Sequence, residues 1–421
     1  MSPEEIESFG PLLNIPHASL EALAIRIYER AFHKPCEGAQ FKGRAVGCYN
    51  LVHFVDANND TRLVIRVSVA AWGSGKTETA ARALESTVAT MRFVARNSFI
   101  PVPQVYDFDT TDNNEIGAPY MCISFISGSP VRRNILRSLA QVMAQFSSFS
   151  FDRIGSITSD EANTQALVPC YDWKQSEDGT FQVVSYGPFD SASEDGTFQV
   201  VSYGPFDSAS DYLVHRYKER PDGDTDGRGA ESVLQSLIIP CWIQELANNA
   251  SEGFVLRPPD FDAQNIMVDK AGNVTGLLDW DHAHTLPRSL GYAKVPAWLS
   301  RDWDPSTRHL LGSSAIELEN QTLVLEAYRK RYSDMMKYAL EYRGDWTFTL
   351  DSHLSDALWA AIIHYDYRIE ICGELIEGAM RTMNRYHVDG MDFLSRIENN
   401  SLYPTEQIML TIGFKRLFST I

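Results

Sequence analysis

No stretch of this 421-residue chain approaches the ~20 consecutive apolar residues that a membrane-spanning helix needs. The start, Met1-Ser2-Pro3-Glu4-Glu5-Ile6-Glu7, is acidic where a secretory signal is basic and then apolar. Cysteine is sparse. Cys36, Cys48, Cys122, Cys170, Cys241 and Cys372 form no Cys-x-x-Cys pair, so neither a zinc site nor a disulfide framework is indicated, and the thiols read as buried apolar groups. Positive charge is also short: the formal net charge is -18, and no basic stripe offers itself to a phosphate backbone. These absences predict a cytoplasmic protein with neither nucleic acid nor membrane as partner, and they leave its oligomeric state open.

What is present is an ordinary globular composition, 44% hydrophobic and 22% charged, enough for a large core divided between two lobes. The most informative stretch is Pro259-Asp260-Phe261-Asp262-Ala263-Gln264-Asn265, followed by Gly276-Leu277-Leu278-Asp279-Trp280-Asp281. Between them, Asp269-Lys270-Ala271-Gly272-Asn273 is turn chemistry, so a β-hairpin is predicted to return Asp279 to the loop that carries Asp260 and Asn265. Transfer of a γ-phosphoryl group needs an orienter for the acceptor hydroxyl and oxygen ligands for magnesium. Asp260 fits the first task; Asn265 and Asp279 fit the second. Each residue taken alone is equally well an Asx turn or a strand-end cap.

Elsewhere, residues 20–32 have helical spacing, 43–55 and 61–69 read as strands, 77–96 as a helix, and 120–126 as an apolar strand before the break Ser127-Gly128-Ser129-Pro130. Further helices are predicted over 136–149, 211–250, 323–343 and 356–380. Ala70-Ala71-Trp72-Gly73-Ser74-Gly75-Lys76-Thr77 is a relaxed P-loop match, but alanine stands at its first glycine and no repeating parallel strand–helix units follow; its plainer reading is a loop capped by Thr77 or Thr79. His282 and His284 lack a further ligand at zinc spacing and read as structural. Residues 176–192 and 193–209 are the same seventeen residues twice. Two units are too few for a solenoid, so one copy is expected to keep a structural position and the other to loop out.

The two motifs resemble those of the aminoglycoside phosphotransferase family, relatives of protein kinases whose catalytic loop runs His-x-Asp-x-x-x-x-Asn and whose metal aspartate sits in an Ile-Asp-Trp-like step. Residues 286–292 and 298–305 resemble its fungal members in particular. The resemblance implies an α+β, two-lobed protein-kinase-like fold, with a small antiparallel-sheet N-lobe over 1–127 and a larger, mainly helical C-lobe over 128–421. It makes Asp260 the catalytic aspartate and Asn265 and Asp279 the Mg2+ ligands. Gly47 and Asn50 fall in the loop over the ATP phosphates, Arg66 takes the place of the strand lysine, and the hinge backbone near Phe125 meets the adenine. The implied acceptor is a hydroxyl on a small molecule, held by the C-terminal helices.

Two departures bear on activity. Pro258 stands at the catalytic-loop histidine and offers neither a side-chain donor nor an N–H. Thr87 stands where the helix glutamate would pair with Arg66, and Glu85 is about 200° round the helix from it. The expectation is an ATP- and Mg2+-dependent phosphotransferase. The alternative is a kinase-fold pseudoenzyme, or a scaffold repurposed for small-molecule binding or biosynthesis.

Overall fold

The structure, a computed structural model, describes residues 8–58, 60–130, 135–159, 165–174, 199–218, 228–248, 253–305 and 321–419. Strands β1 (Ala39–Val46), β2 (Asn50–Ala57), β3 (Thr61–Ser68), β4 (Val105–Asp109) and β5 (Tyr120–Ser124) form one antiparallel sheet in the order β1-β2-β3-β5-β4. Side-chain alternation along β3 divides its work. Leu63, Ile65 and Val67 pack with Leu20, Leu23 and Ile27 of helix α1 (His17–Phe32), while Val64 joins Met121 and Ile123 in a different cluster. Arg66, two residues on from Val64, therefore lies on the face opposite α1.

The chain does not run as one strand over 43–55. It turns at residues 47–49, where the Gly47 N–H donates to the Asn50 carbonyl at 2.9 Å, and β1 begins earlier with a bulge between Phe41 and Gly43. Nor does hydrophobic alternation mark β4, because its buried residue is a carboxylate. Asp107 is accommodated there by hydrogen bonds from Arg26 (3.1 Å) and Tyr120 (2.8 Å). Helix α2 (Glu78–Asn97) starts at Thr77, whose hydroxyl accepts the Ala80 N–H at 3.1 Å. The antiparallel sheet and this simple cap rule out the P-loop reading.

After β5 the chain crosses to the larger lobe. Strand β6 (Ser129–Pro130) pairs with β12 (Ile266–Val268), which pairs with β13 (Val274–Leu277). Glycine is required at 276, because a Cβ there would lie 2.8 Å from the Ile126 side chain of the crossing segment. The smaller pairings are β7 (Ser156–Ser159) with β8 (Gln165–Val168), β9 (Cys170–Lys174) with β10 (Gln199–Tyr203), and β11 (Val255–Leu256) with β14 (Thr285–Leu286).

The helices of this lobe are α3 (Leu136–Ala144), α4 (Ala209–Lys218), α5 (Arg228–Val233), α6 (Ile239–Asn248), α7 (Thr322–Ala339), α8 (Ser352–Ile363), α9 (Arg368–Thr382), α10 (Gly390–Glu398) and α11 (Pro404–Phe418). Their core gathers Trp242, Leu358, Ile376, Phe414 and neighbours. The single helix expected over 356–380 is two. Arg368 donates to the carbonyls of Ala361 (2.9 Å) and Ile362 (3.2 Å), satisfying the end of α8, and α9 starts anew. Among the described residues no helix is long and apolar enough to cross a membrane.

The first copy of the duplication lies outside the described residues. The second supplies β10, which buries Val200 and Tyr203. Because the copies are identical, deleting either yields one chain, and the strand survives in it. The one-copy chain should unfold in denaturant with a free energy unchanged or raised by about 1 kcal/mol, since a shorter connection between β9 and β10 costs less to close. A loss of several kcal/mol in the same titration would mean that both copies are packed.

Candidate active site

The site is built where the sheet meets the β12–β13 hairpin. The Leu278 N–H donates to the Asn265 carbonyl at 2.7 Å, which fixes the loop that precedes β12 against the chain leaving β13. Next comes Trp280, fully buried, its indole N–H on the Leu277 carbonyl at 2.9 Å. That ring anchors the acidic step: losing such an aromatic typically costs about 3–5 kcal/mol. Asp279 itself is left-handed (φ 56°), a conformation more tolerable for aspartate than for most residues, and it carries the carboxylate into the cleft.

Arg66 reaches across from β3. Its Nη2 lies 2.9 Å from Asp279 Oδ1 and 3.0 Å from Asp281 Oδ2, and Asn50 Nδ2 adds a 2.8 Å bond to the same Asp281 oxygen. One buried cation thus serves two carboxylates from the loop, while Thr87 of α2 is buried nearby. The Asp279 pKa is still raised, by burial first and by the Asp281 charge second, with Arg66 opposing. Asn50, expected over the phosphates, holds Asp281 here.

Asp260 accepts from Asn265 Nδ2 at 2.7 Å and from Gln264 Nε2 at 3.2 Å. Asp260 is solvent-exposed, yet its pKa is raised, by partial desolvation first and then by the charges of Asp262 and Asp279. Asn265 spends its amide nitrogen on Asp260, which leaves its amide oxygen for a metal. Asp262 contributes a buried Oδ1 with no hydrogen-bond partner among the described residues. No group of three His, Cys, Asp or Glu is gathered among the described residues as a self-sufficient metal cage. Hard oxygens from one carboxylate and one amide, Asp279 and Asn265, suit Mg2+, which commonly keeps waters and substrate phosphates among its ligands.

The other expected residues fall around this centre. Gly47 is exposed in the β1–β2 turn. Phe125 is exposed at the end of β5, with the Arg62 guanidinium 5.3 Å over its ring. His284 engages both ring nitrogens, one with the Tyr212 hydroxyl (3.0 Å) and one with the His282 carbonyl (3.0 Å), and burial pushes its pKa down to about 4. The His282 ring packs 4.7 Å from Trp173. Among the described residues neither histidine belongs to a group of three metal-ligating side chains.

Sequence reasoning missed two arrangements. Trp173 on β9 stacks flat on Tyr49 of the β1–β2 turn (4.8 Å, 4°), bringing the hairpin of the duplicated segment to the cleft. Lys294 Nζ bonds Asp356 Oδ1 at 2.5 Å, with Arg257 Nη1 3.9 Å from that oxygen. The neighbouring Ala297 N–H donates to the Phe261 carbonyl at 2.9 Å, so this segment holds the loop that has Pro258 in place of a histidine. A lone lysine in the apolar run Gly291-Tyr292-Ala293-Lys294-Val295 was the available signal. Burial, with Arg257 adding to it, pushes the Lys294 pKa down to about 8.

Residues 40–183, about a third of the chain, match the model of the phosphotransferase enzyme family. The match covers Gly47, Asn50, Arg66 and Phe125 and ends before Asp260. The chain is 29% identical over 153 residues to clavilactone A biosynthesis cluster protein Y of Ampulloclitocybe clavipes, covering 34% of this chain and 37% of that protein. It is 27% identical over 124 residues to a subtelomeric hrmA-associated cluster protein of Aspergillus fumigatus, covering 27% of this chain and 23% of that one. The chain thus spans well under half the length of either relative. Among solved structures, aminoglycoside phosphotransferase APH(4)-Ia superposes with a TM-score of 0.42 at 12% identity, covering 92% of this chain and all of that one. The fold rests on the strand and helix arrangement above rather than on that overlay.

A pH test follows from Lys294. Its folded pKa is depressed, so between about 8 and 10.5 the unfolded chain holds the extra proton and the Lys294 contribution to the unfolding free energy rises with pH, against the opposite contribution of buried tyrosines and cysteines whose pKa values are raised. The unfolding free energy of the parent relative to Lys294→Met should rise by on the order of 2–3 kcal/mol across that window. Equal slopes for parent and variant in denaturant titrations at the two ends of the window would contradict the assignment.

Proposed function

From its resemblance to the aminoglycoside phosphotransferase family, we propose that the chain is an ATP- and Mg2+-dependent phosphotransferase that acts on a hydroxyl of a small molecule. The observation that carries this reading is the meeting of Asp260, Asn265 and Asp279 beside Arg66, four groups drawn from three separate segments. The 1–127 lobe would hold the nucleotide, with Gly47 in the phosphate loop and the hinge backbone near Phe125 at the adenine. The 128–421 lobe would hold the acceptor.

Asn265 and Asp279 would hold Mg2+, which would supply positive charge to offset that of the phosphates. Arg66 can then share its planar fork between a carboxylate and a phosphate. Asp260 is suited to accept the acceptor hydroxyl's proton: its raised pKa brings it closer to neutrality than an ordinary carboxylate, and its bond from Asn265 fixes its direction. Pro258 favours a second reading, a scaffold that binds nucleotide or small molecule without transfer.

Replacement of Asp279 by Asn should abolish Mg2+-dependent nucleotide binding with the fold retained, as read by calorimetric titration and far-ultraviolet dichroism. Asp260→Asn should instead leave nucleotide affinity within a few-fold and lower turnover by orders of magnitude in a metabolite screen for ATP consumption, because that contact matters mainly in the transition state. ATP bound normally with no turnover, in the parent and in Pro258→His alike, favours the second reading. Unchanged metal-dependent affinity in Asp279→Asn sinks the metal assignment.

A further inference from the structure

Four Lys or Arg side chains are buried among the described residues, Arg257, Lys294, Arg329 and Arg368, and only one of them is left without a close carboxylate. Lys294, Arg329 and Arg368 have a carboxylate oxygen at 2.5, 2.7 and 2.8 Å respectively. Arg257 is the exception. Its Nη1 lies 3.9 Å from Asp356 Oδ1, too far for a hydrogen bond, and its Nε and Nη1 are buried with no hydrogen-bond partner among the described residues. That Asp356 oxygen is already committed to Lys294. Two cations therefore share one carboxylate, so this corner of a chain whose net charge is -18 carries a surplus positive charge.

The surplus lies beside Asp260 and apart from the nucleotide side of the cleft. From buried Leu256 and Arg257 the chain climbs to exposed Asp260 within a few residues. Burial lowers the pKa of both Arg257 and Lys294, and the charges of Asp356 and Asp260 oppose it, which puts Asp260 within electrostatic reach of each. Arg66 and Asn50 bond Asp279 and Asp281, so those carboxylates are matched elsewhere. A buried guanidinium without a partner is costly until an anion meets it, and its planar donor fork fits a carboxylate. With 10% of the Arg257 side chain exposed, the group that reaches it must be small. We propose that Arg257, its charge reinforced by Lys294, receives a carboxylate on the acceptor, so that the molecule phosphorylated is a hydroxy acid. The assignment rests on the transfer reading, in which Asp260 meets the acceptor hydroxyl. The hydroxyl oxygen bonds the γ-phosphorus as the bond from that phosphorus to the ADP oxygen breaks, Asp260 takes the hydroxyl proton, and the carboxylate is left unchanged.

Glycolate, a minimal hydroxy acid, and glycolamide, its neutral counterpart, are the probes. Titrated into the full chain and followed by ligand-observed NMR, glycolate should saturate one site with a dissociation constant in the millimolar range, ordinary for so small a fragment, and glycolamide should bind roughly tenfold more weakly or worse. Arg257→Met removes no hydrogen bond and should fold. It should weaken glycolate by roughly tenfold or more while leaving affinity for MgADP and for Mg2+ with AMP-PNP within a few-fold. No saturable glycolate binding by the parent overturns the site, and so does equal affinity for the two probes, whether or not the variant folds. Unchanged glycolate affinity in folded Arg257→Met overturns it as well. A loss of AMP-PNP affinity that MgADP does not share would assign the guanidinium to the γ-phosphate and overturn the acceptor role. The transfer reading is judged separately: a parent that binds MgADP but not glycolate refutes the hydroxy-acid assignment alone, whereas one that binds glycolate through Arg257 but no nucleotide refutes the transferase and leaves Arg257 as a carboxylate site.

Discussion

A single guanidinium joins the two halves of this protein's cleft. Arg66 lies 213 residues from Asp279 and 215 from Asp281 in sequence, yet bonds both. A cation largely taken out of water needs compensation, and compensation here fixes geometry: Asp281, the less exposed of the two carboxylates at 20% against 43% for Asp279, is the stronger hold on Arg66. Everything else is arranged to deliver these three groups. Strand alternation turns Arg66 toward the cleft, buried Trp280 holds the acidic step, and the β12–β13 hairpin brings Asn265 alongside it.

Arg66, which faces Thr87 rather than an acidic residue on α2, has its carboxylates supplied from the loop after β13. Asp281 receives it, and Asn50 steadies Asp281 from the neighbouring strand. The loop that carries Pro258 is held from a neighbouring segment. The segment carrying Lys294 is tied to Asp356 of α8 and, through Ala297, to the backbone of Phe261.

How much of this was legible in the sequence depends on the range of the interaction. The hairpin, its Asp269 turn, a cap at Thr77 or Thr79 and the run of Asp260, Asn265 and Asp279 are local patterns that the sequence displays directly, while the roles of the last three come from the resemblance. Strand β4 escaped because a side chain distant in sequence, Arg26, accommodates its buried Asp107, and the division between α8 and α9 because Arg368 turns back onto the carbonyls of α8, a local contact that helical periodicity does not reveal. Asp281 stood within the quoted motif, but its role depends on Arg66 and Asn50 being brought to it. Trp173 on Tyr49 could not be read at all, since the stack joins a hairpin built partly from the second repeat to a turn in another lobe.

The central claim is that the carboxylates beside Arg66 form a metal–nucleotide site. It is tested most directly by thermal unfolding of the full chain with ATP alone, Mg2+ alone, and both together. Ligand at about 100 times its dissociation constant adds about 2.7 kcal/mol to the folded state. The account predicts a stabilisation of that order with ATP and Mg2+ combined, and clearly less with either alone. Identical unfolding in all conditions would contradict it.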